Sequence, residues 1–410
     1  MVAEPGSADV TVVGGGIAGM VVARRLAMAG RAVTLIEASD HLGGTVARHT
    51  VGGIDLDAGA ESFATRGGTV ADLAAELGLG DDIVTPTAGG AWLQPAVGPA
   101  VPLPATNVLG IPGTPLAADV IAVIGQRAAL RAELDAIIPS LWARKSLTLG
   151  ALVRRRMGSG VLEKLVAPVV HGVHSMHPDE MQLDRAAPGL RAALAREGSL
   201  AAAVRFMRDA APAGSAVAGI RGGIHRLATE LGADLETYGV QVQLGHRVSP
   251  ADLKGVVIMA APVDPSAGRR IVLATLVVDS PELDAAPRGT GLLVADGATA
   301  TSARALTHAT AKWDWLRERA GGRHVLRLSY DVEPEALHTT ARLDACALLG
   351  VQLDDSSVID FARVEWLRPA ASGPHPVGDG IVIVGETVAG SGLAGVIRQA
   401  EVVAHELLEA

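Results

Sequence analysis

The residues in this chain best suited to chemistry are glycines and acids rather than nucleophiles. Gly14, Gly15, Gly16 and Gly19 stand in the stretch GGGIAG directly after the β-branched run Val10 to Val13. Glu37 closes a second apolar run, Ala32 to Ile36. In this pattern Gly14 permits a tight turn, Gly16 lets the backbone approach a pyrophosphate, and Gly19 lets a helix pack closely on the sheet. Ile17 and Ala18 open that helix, which runs to Ala29 and offers free N–H groups and a positive dipole end to phosphates. Glu37 can accept both hydroxyls of a ribose. A strand, a turn, a helix and a second strand in this order predict a site for the adenosine half of a dinucleotide.

A second glycine corner lies near the other end of the chain. Ile381 to Gly385 reads as a buried strand with Glu386 at its carboxyl end, and Ser391, Gly392, Leu393 and Ala394 start a helix that runs to Leu408. Gly43-Gly44 and the stretch DLDAGAESFATR, Asp55 to Arg66, return toward the first corner where a nicotinamide-binding domain would continue with regular strand–helix repeats. These features suit a longer cofactor, FAD, with the closing helix start facing its ribityl chain and the flavin edge where negative charge grows on reduction. One extended cofactor spanning both corners requires the C-terminal segment to fold back onto the N-terminal one.

The elements that must position these residues follow from length and pattern. The chain has 410 residues, enough for two or three domains. Hydrophobic residues make up 49% and the mean hydropathy is +0.32, while aromatic residues are only 2%. The apolar character therefore comes from Ala, Gly and Val. The most apolar stretches, Val108 to Ile124 and Ile381 to Ile397, are interrupted by Pro112, Pro115 and Asp119 or by Glu386, so neither predicts a membrane span. The run after Asp9 reads as a strand and glycine turn, not a signal peptide. A net charge of −9 argues against nucleic acid as a partner. The lone Cys346 reads as a buried thiol in a reducing cytoplasm.

Between the corners, Thr85 to Pro104 predicts short hairpin strands. Leu116 to Gly160 and Val161 to Asp209 are helical in period. Ala218 to Val248 reads as a loop, a helix and a strand returning to the cofactor domain, and Gly255 to Pro262 as a buried strand. Ile271 to Val278, Gly291 to Val294 and His324 to Tyr330 read as strands of a second sheet. His171, His174 and His177 are three apart, but Pro168, Pro178 and the lack of a carboxylate or cysteine pattern beside them argue against a metal. They read instead as solvated or locally hydrogen-bonded. Arg144-Lys145 and Arg154 to Arg156 are basic patches of the helical region, read as a solvated face. No nucleophile–base pattern is present.

With these residues in view, the chain resembles the oxygen-dependent protoporphyrinogen and coproporphyrinogen III oxidases of the flavin amine oxidase superfamily, in their actinobacterial form. The stretches that carry the resemblance are the opening fingerprint, AGAESFATR, APVVHGVHSMHPDEMQLDRAAPGL, AGIRGGIHRL, RALTHATAKWDW and GETVAGSGLAGVI. The terminal motifs are shared across the superfamily; those around His171 to Leu190 and Arg304 to Trp315 are more particular. The resemblance implies six-electron oxidation of coproporphyrinogen III, or of protoporphyrinogen IX, in three rounds. In each round hydride passes from a methylene bridge to the flavin, and dioxygen reoxidises the flavin to give hydrogen peroxide. Flavin carries that chemistry, and no obligatory side-chain base follows from the sequence. It matches Gly14 to Gly19 to the pyrophosphate loop and Glu37-Ala38 to the ribose end. Gly44, Thr45, Gly59, Ala60, Glu61 and Ser62 match positions along the cofactor, and Val248 the strand facing the adenine. Trp366 matches a tryptophan near the cofactor, and Gly385, Glu386, Gly392, Leu393 and Ala394 the flavin end. Arg66 is implied as a partner for a substrate propionate.

The expected fold class is α/β: a Rossmann-like FAD-binding domain with a mixed-sheet substrate domain and a helical lobe. The FAD-binding domain takes 1–88, 216–262 and 378–410, the sheet domain 89–115 and 263–377, and the helical lobe 116–215. The substrate cavity is expected between the sheet domain and the lobe. The chain departs from the family where Gly67-Gly68 replace a Lys-Pro after Arg66, where the Gly89 to Trp92 hairpin lacks an arginine, and in short segments around Gly255 to Pro262. Two other readings remain at this stage. One is a flavin oxidase of amines or polyenes, disfavoured by the scarcity of aromatic side chains for an amine cage. The other is a flavin-fold binding protein without catalysis. The expected partners are a tetrapyrrole and dioxygen in the cytoplasm; peripheral membrane contact and transient contact with a ferrochelatase are left open.

Overall fold

Strand β1 (Val10–Val13), helix α1 (Ile17–Met28) and strand β2 (Val33–Ile36) form the opening unit, with β1 and β2 parallel and Val10 beside Val33. The computed structural model describes residues 10–139, 146–174, 176–209, 217–249, 253, 255–262, 268–369, 381–390 and 392–409. Ser391 and the Arg144-Lys145 patch lie outside the described residues. The chain divides into two compact units, Met1–Pro86 with Ala216–Val272 and Val364–Ala410, and Thr87–Ser215 with Leu273–Arg363.

In the first unit, helix α2 (Arg226–Thr237) leads to β3 (Gln241–Gln243), followed by β4 (Val256–Met259), β5 (Ile381–Ile383) and helix α3 (Leu393–Glu409). The five strands form one parallel sheet in the order β3-β2-β1-β4-β5. β4 comes from the middle of the chain and β5 from its end, so three separated segments build one sheet. β5 is half-buried where a buried strand was expected, because it forms the sheet's edge and has one neighbour. β3 stops at Gln243, short of Val248; Gly245 takes a left-handed φ of 72° there and turns the chain away from the ladder.

Helix α1 is apolar nearly all round, with Ile17, Met20, Val21, Val22 and Leu26 buried, as befits a helix covered on every side. Arg25 lies in its last turn, a favourable place for a cation, and Arg24 directly precedes it. Arg24 pairs with Asp234 of α2 at 2.6 Å and with Glu76 of the helix Thr69–Glu76 at 2.8 Å. Arg25 pairs with Glu401 of α3 at 2.7 Å and with Glu76 at 2.9 Å. Two adjacent arginines thus tie α1 to helices from three distant parts of the chain.

The second unit holds a mixed sheet and a helical segment. The seven-stranded sheet runs Val358–Pro369, Gly268–Val278, His324–Tyr330, Ala305–His308, Gly291–Val294, Trp92–Gln94, Val101–Pro102. The first two of these strands begin or end in residues of the first unit. Leu293 lies beside Leu93 and Ala305, so these three share a face. That face meets the helices: the Leu293 side chain occupies the place where a side chain on Gly172 would begin, and Leu93 joins the core of Leu149, Leu152, Leu165 and Leu190. The other face carries Tyr330, whose hydroxyl donates to Asp344 of the helix Leu337–Leu349 at 3.0 Å. Cys346 on that helix is half-buried rather than buried, its sulfur accepting the Leu353 N–H where the chain turns back.

At the centre of the helical segment, Arg156 and Asp135 are fully shielded from water. Arg156 donates to Asp135 at 2.5 Å and to the carbonyls of Asp135, Ile138, Pro139 and Gly198, while Asp135 also accepts the Ala201 N–H. This corrects the reading of Arg154 to Arg156 as a wholly solvated face: Arg154 pairs at the surface with Asp179, and Arg156 points into the core. Among the described residues no helix is long and apolar enough to cross a membrane.

Burial decides what these arginines contribute. Arg156→Ala leaves Asp135 charged and dry and should cost roughly 3–5 kcal/mol, whereas Arg25→Ala, whose partners are partly solvated, should cost about 1 kcal/mol. Urea denaturation of the two variants beside the wild type checks the contrast; equal losses would show that solvation of the partners does not matter.

Candidate functional site

The turn between β1 and α1 is held from all sides. Gly14 has a φ of 110°, which a side chain rarely adopts, and its N–H donates to the Ile36 carbonyl at 2.8 Å. A Cβ on Gly19 would stand 2.0 Å from the Gly14 carbonyl oxygen, so only glycine lets α1 sit this close to the turn. Gly16 is the N-cap of α1 without any side-chain cap, and a Cβ there would meet nothing within 4 Å. The N–H groups at the start of α1, from Ile17 and Ala18 onward, therefore have no side-chain acceptor of the helix's own.

Glu37 stands at the carboxyl end of β2. Its carboxylate accepts the Gly15 N–H at 2.6 Å and the N–H and hydroxyl of Ser39, both at 2.8 Å. Burial alone would raise its pKa; the hydrogen bonds from Ser39 and Gly15 outweigh burial and hold it below the usual carboxylate range. Ala38 beside it is exposed. Gln243 and His246 clasp the Glu37 backbone, His246 donating to the Glu37 carbonyl at 2.9 Å. Val248, two residues on, packs against Val13, Val257 and Met259 instead of extending β3.

Gly43 donates to the Gly15 carbonyl at 2.8 Å, which brings the expected glycine pair Gly43-Gly44 against the first turn. The Ala228 methyl of α2 abuts Gly43. Asp57 fixes the start of α2 by accepting the N–H groups of Ile224 and His225 and the His225 ring nitrogen Nδ1, the last at 2.9 Å. Thr45 passes against Gly59 closely enough that a Cβ on Gly59 would strike the Thr45 carbonyl. Ala60, Glu61 and Ser62 continue from there with partial to full exposure, and Arg66 is exposed on the turn that follows.

The second corner lies against the first. A Cβ on Gly385 would stand 3.3 Å from the Ala18 methyl, and Gly385 donates to Gln399 of α3 at 2.9 Å. A short helix, Glu386–Ala389, separates Gly385 from α3, an element not anticipated from the sequence. Gly392, Leu393 and Ala394 form the start of α3, with Leu393 and Ala394 half-buried. Glu386 lies 3.5 Å from Arg368. Burial raises the Glu386 carboxyl pKa against the pull of Arg368, and burial lowers that of Arg368 against the pull of Glu386, with Arg269 lowering it further. Trp366 is half-buried on the same strand as Arg368.

These features fit a dinucleotide with a long second half. The open space over Gly16, the uncapped helix start and an ionised acid with spare acceptor capacity suit a pyrophosphate and a ribose. Gly385 standing against Ala18 places the chain's last corner beside that helix start. Sequence reasoning passed over Arg24, Arg25 and Asp57, whose partners lie far away in the chain, and Arg368, whose partner Glu386 follows the next strand. Only the odd placement of an arginine pair in an apolar helix could have signalled the first two.

In the second unit the two more particular stretches meet. His171 is bonded through Nε2 to Asp331 at 2.9 Å and through Nδ1 to Asp296 at 3.1 Å. Arg304 donates to the His171 carbonyl at 2.7 Å and lies 3.4 Å from Asp331. The expectation of a solvated or locally bonded His171 is corrected: its partners are more than a hundred residues away. The hydrogen bond to Asp331 outweighs desolvation and, with the charges of Asp331 and Asp296, raises the His171 pKa above the usual histidine value.

The family described as flavin containing amine oxidoreductase matches residues 17–253. A coproporphyrinogen III oxidase of Mycobacterium tuberculosis (strain ATCC 25618 / H37Rv) is 32% identical over 396 residues, covering 87% of this chain and 85% of that protein. A coproporphyrinogen III oxidase of Propionibacterium freudenreichii is 31% identical over 180 residues, which span 44% of this chain and 34% of that enzyme. A solved structure from Exiguobacterium sp. 255-15, assigned as a protoporphyrinogen oxidase, aligns with a TM-score of 0.81 at 23% identity, covering 99% of this chain and 100% of that one.

Two outcomes follow from the geometry. Gly19→Val should force the first turn open and lower flavin absorbance per protein at least ~10-fold, read on wild type and variant purified side by side. The His171 clasp stabilises the folded chain fully below the free histidine pKa of about 6.5 and loses that contribution as pH rises through the raised folded value. Urea midpoints from about pH 6 to pH 9 should therefore fall more in the wild type than in His171→Gln; parallel profiles would show that the clasp contributes nothing.

Proposed function

Because the chain belongs to the flavin containing amine oxidoreductase family and uses FAD, we propose that it oxidises coproporphyrinogen III to coproporphyrin III with dioxygen as acceptor. The observation that carries this reading is the likeness to coproporphyrinogen III oxidases along most of the chain's length, set beside two glycine corners that meet within one parallel sheet. Bound FAD supplies hydride acceptance, and its reoxidation by dioxygen gives hydrogen peroxide. The chain's own residues hold and exclude.

The amides at Gly14 to Gly19 and the start of α1 receive the pyrophosphate, and Glu37 takes the ribose with Ala38 beside it. Gly44, Thr45 and Gly59 to Ser62 line the cofactor's course, with Val248 toward the adenine. Gly385, Glu386, Gly392, Leu393, Ala394 and Trp366 serve the flavin end. Arg66, exposed after the strand Phe63–Ala64, pairs with a substrate propionate. In each of three rounds a methylene bridge of the macrocycle gives up a hydride and a pyrrole N–H gives up a proton, and a shift of one proton from the fourth bridge to a pyrrole nitrogen completes the porphyrin, so six electrons leave the substrate in all. Hydride loss leaves a cation whose pyrrole N–H is acidic, water accepts that proton, and no side chain is assigned as its acceptor.

The test is direct. Purified FAD-loaded chain mixed with coproporphyrinogen III in air should develop porphyrin fluorescence together with hydrogen peroxide, faster than with protoporphyrinogen IX. A flavin-loaded chain that produces fluorescence from neither porphyrinogen refutes the substrate class, and faster turnover of protoporphyrinogen IX refutes the preference.

A further inference from the structure

Away from the glycine corners, the second unit carries three titratable groups in a chain that runs from the surface into the core. His308 ends the strand Ala305–His308, and His324 begins the neighbouring strand His324–Tyr330. His308 lies opposite Leu326, so His324, two residues before Leu326, shares its face of the sheet. His308 Nε2 stands 3.1 Å from His324 Nδ1, and His324 Nε2 stands 3.1 Å from the carboxylate of Asp284, which follows the turn Pro281–Leu283. The Asp284 side chain is 69% exposed, whereas His324 and His308 are 8% and 1% exposed. At the buried end, His308 Nδ1 has no partner among the described residues. Asp279, just after the strand Gly268–Val278, acts on His324, and among the described residues the only charge acting on His308 is that of His324. Lys312 of the helix Ala309–Lys312 lies over the Trp313 ring, and Asp314 of the helix Asp314–Ala320 pairs with Arg317.

The outer end of this chain fixes where its hydrogen atoms sit. A carboxylate only accepts, so His324 Nε2 donates to Asp284; the neutral ring then offers Nδ1 as an acceptor, and His308 Nε2 donates to it. His308 Nδ1 keeps its lone pair. A proton added to either ring upsets this order in the same way. On His308 it must sit at Nδ1. On His324 it sits at Nδ1, which then donates to His308 Nε2 and moves the His308 hydrogen to its own Nδ1. In both cases a buried N–H is left without an acceptor among the described residues, the costly state for a polar group withdrawn from water. We propose that Asp284, His324 and His308 form a proton-sensitive latch, which holds the Pro281–Leu283 turn against the two strands while both rings are neutral and releases it when the pair takes up a proton. Burial and the neighbouring ring lower the His308 pKa to about 4, against about 6.5 for a free histidine. The latch is therefore fully closed above the free value and weakens progressively as pH falls from about 6.5 to about 4.

The test is amide hydrogen exchange, read by mass spectrometry on the FAD-loaded full chain and corrected for the intrinsic pH dependence of exchange. From about pH 7 to about pH 5 the opening equilibrium of segments 281–284 and 305–308 should rise ~20-fold, while that of the strand Val10–Val13 in the first unit stays level. His308→Gln takes up no proton and can turn either an amide N–H or a carbonyl toward His324, so its rise should stay below about threefold. Should that variant fail to fold, imidazole nitrogen NMR of the wild type decides: two neutral rings with hydrogen on Nε2 should persist at about pH 5. A level profile in the wild type, equal rises in wild type and variant, an equal rise in Val10–Val13, or the loss of every such pair of neutral rings at about pH 5 overturns the latch. The cofactor and substrate readings stand or fall separately from all of these outcomes.

Discussion

The close seat of α1 on its own preceding turn governs the first unit. Gly19 meets the Gly14 carbonyl with no room for a side chain, and every neighbour of α1 is placed by that contact. β1 and β2 flank it, α2 and α3 cover it, and Gly385 reaches Ala18 only because α1 lies so low on the sheet. Lift the helix by the width of one methyl group and the two corners part. The uncapped N–H groups at the start of α1 would then face water from one side instead of a cradle closed by the chain's other end.

The opposite end of the same helix shows how that seat is kept. Arg24 and Arg25 draw acids from the helix Thr69–Glu76, from α2 and from α3 onto one turn. Arg24 is nearly dry, and it persists there because its Nε donates to Asp234 and its Nη1 to Glu76. The arginine pair therefore joins the N-terminal, middle and C-terminal segments at a point remote from the glycines. Contacts at both ends of one helix make the three-segment assembly of the sheet self-consistent.

Much of this was legible in the sequence wherever a local pattern suffices. The opening strand–turn–helix–strand lies where the glycine spacing and β-branched runs put it, and β4 falls inside the apolar stretch that announced it. Glu37 and Glu386 were visible as acids at strand ends. What stayed hidden depends on partners far away in the chain. Nothing near His171 names Asp296 or Asp331, and nothing near Arg156 names Asp135. A run such as Arg154 to Arg156 looks uniform in sequence, yet helical geometry sends one arginine outward and another into the core. Burial of an edge strand is likewise a property of the neighbours: β5 is half-covered because it has one partner strand in the sheet.

Two shielded arginines in this protein illustrate why a charge is kept where water is scarce. Arg156 has every donor direction met by Asp135 and by backbone carbonyls, so it can only hold the helical segment together; it has no capacity left with which to respond to a ligand. Arg368 faces its acid across a longer gap, at the corner that both ends of the chain build. The saturated pair holds the helical segment of the second unit together, and the Arg368–Glu386 pair joins two residues of the first unit beside Gly385.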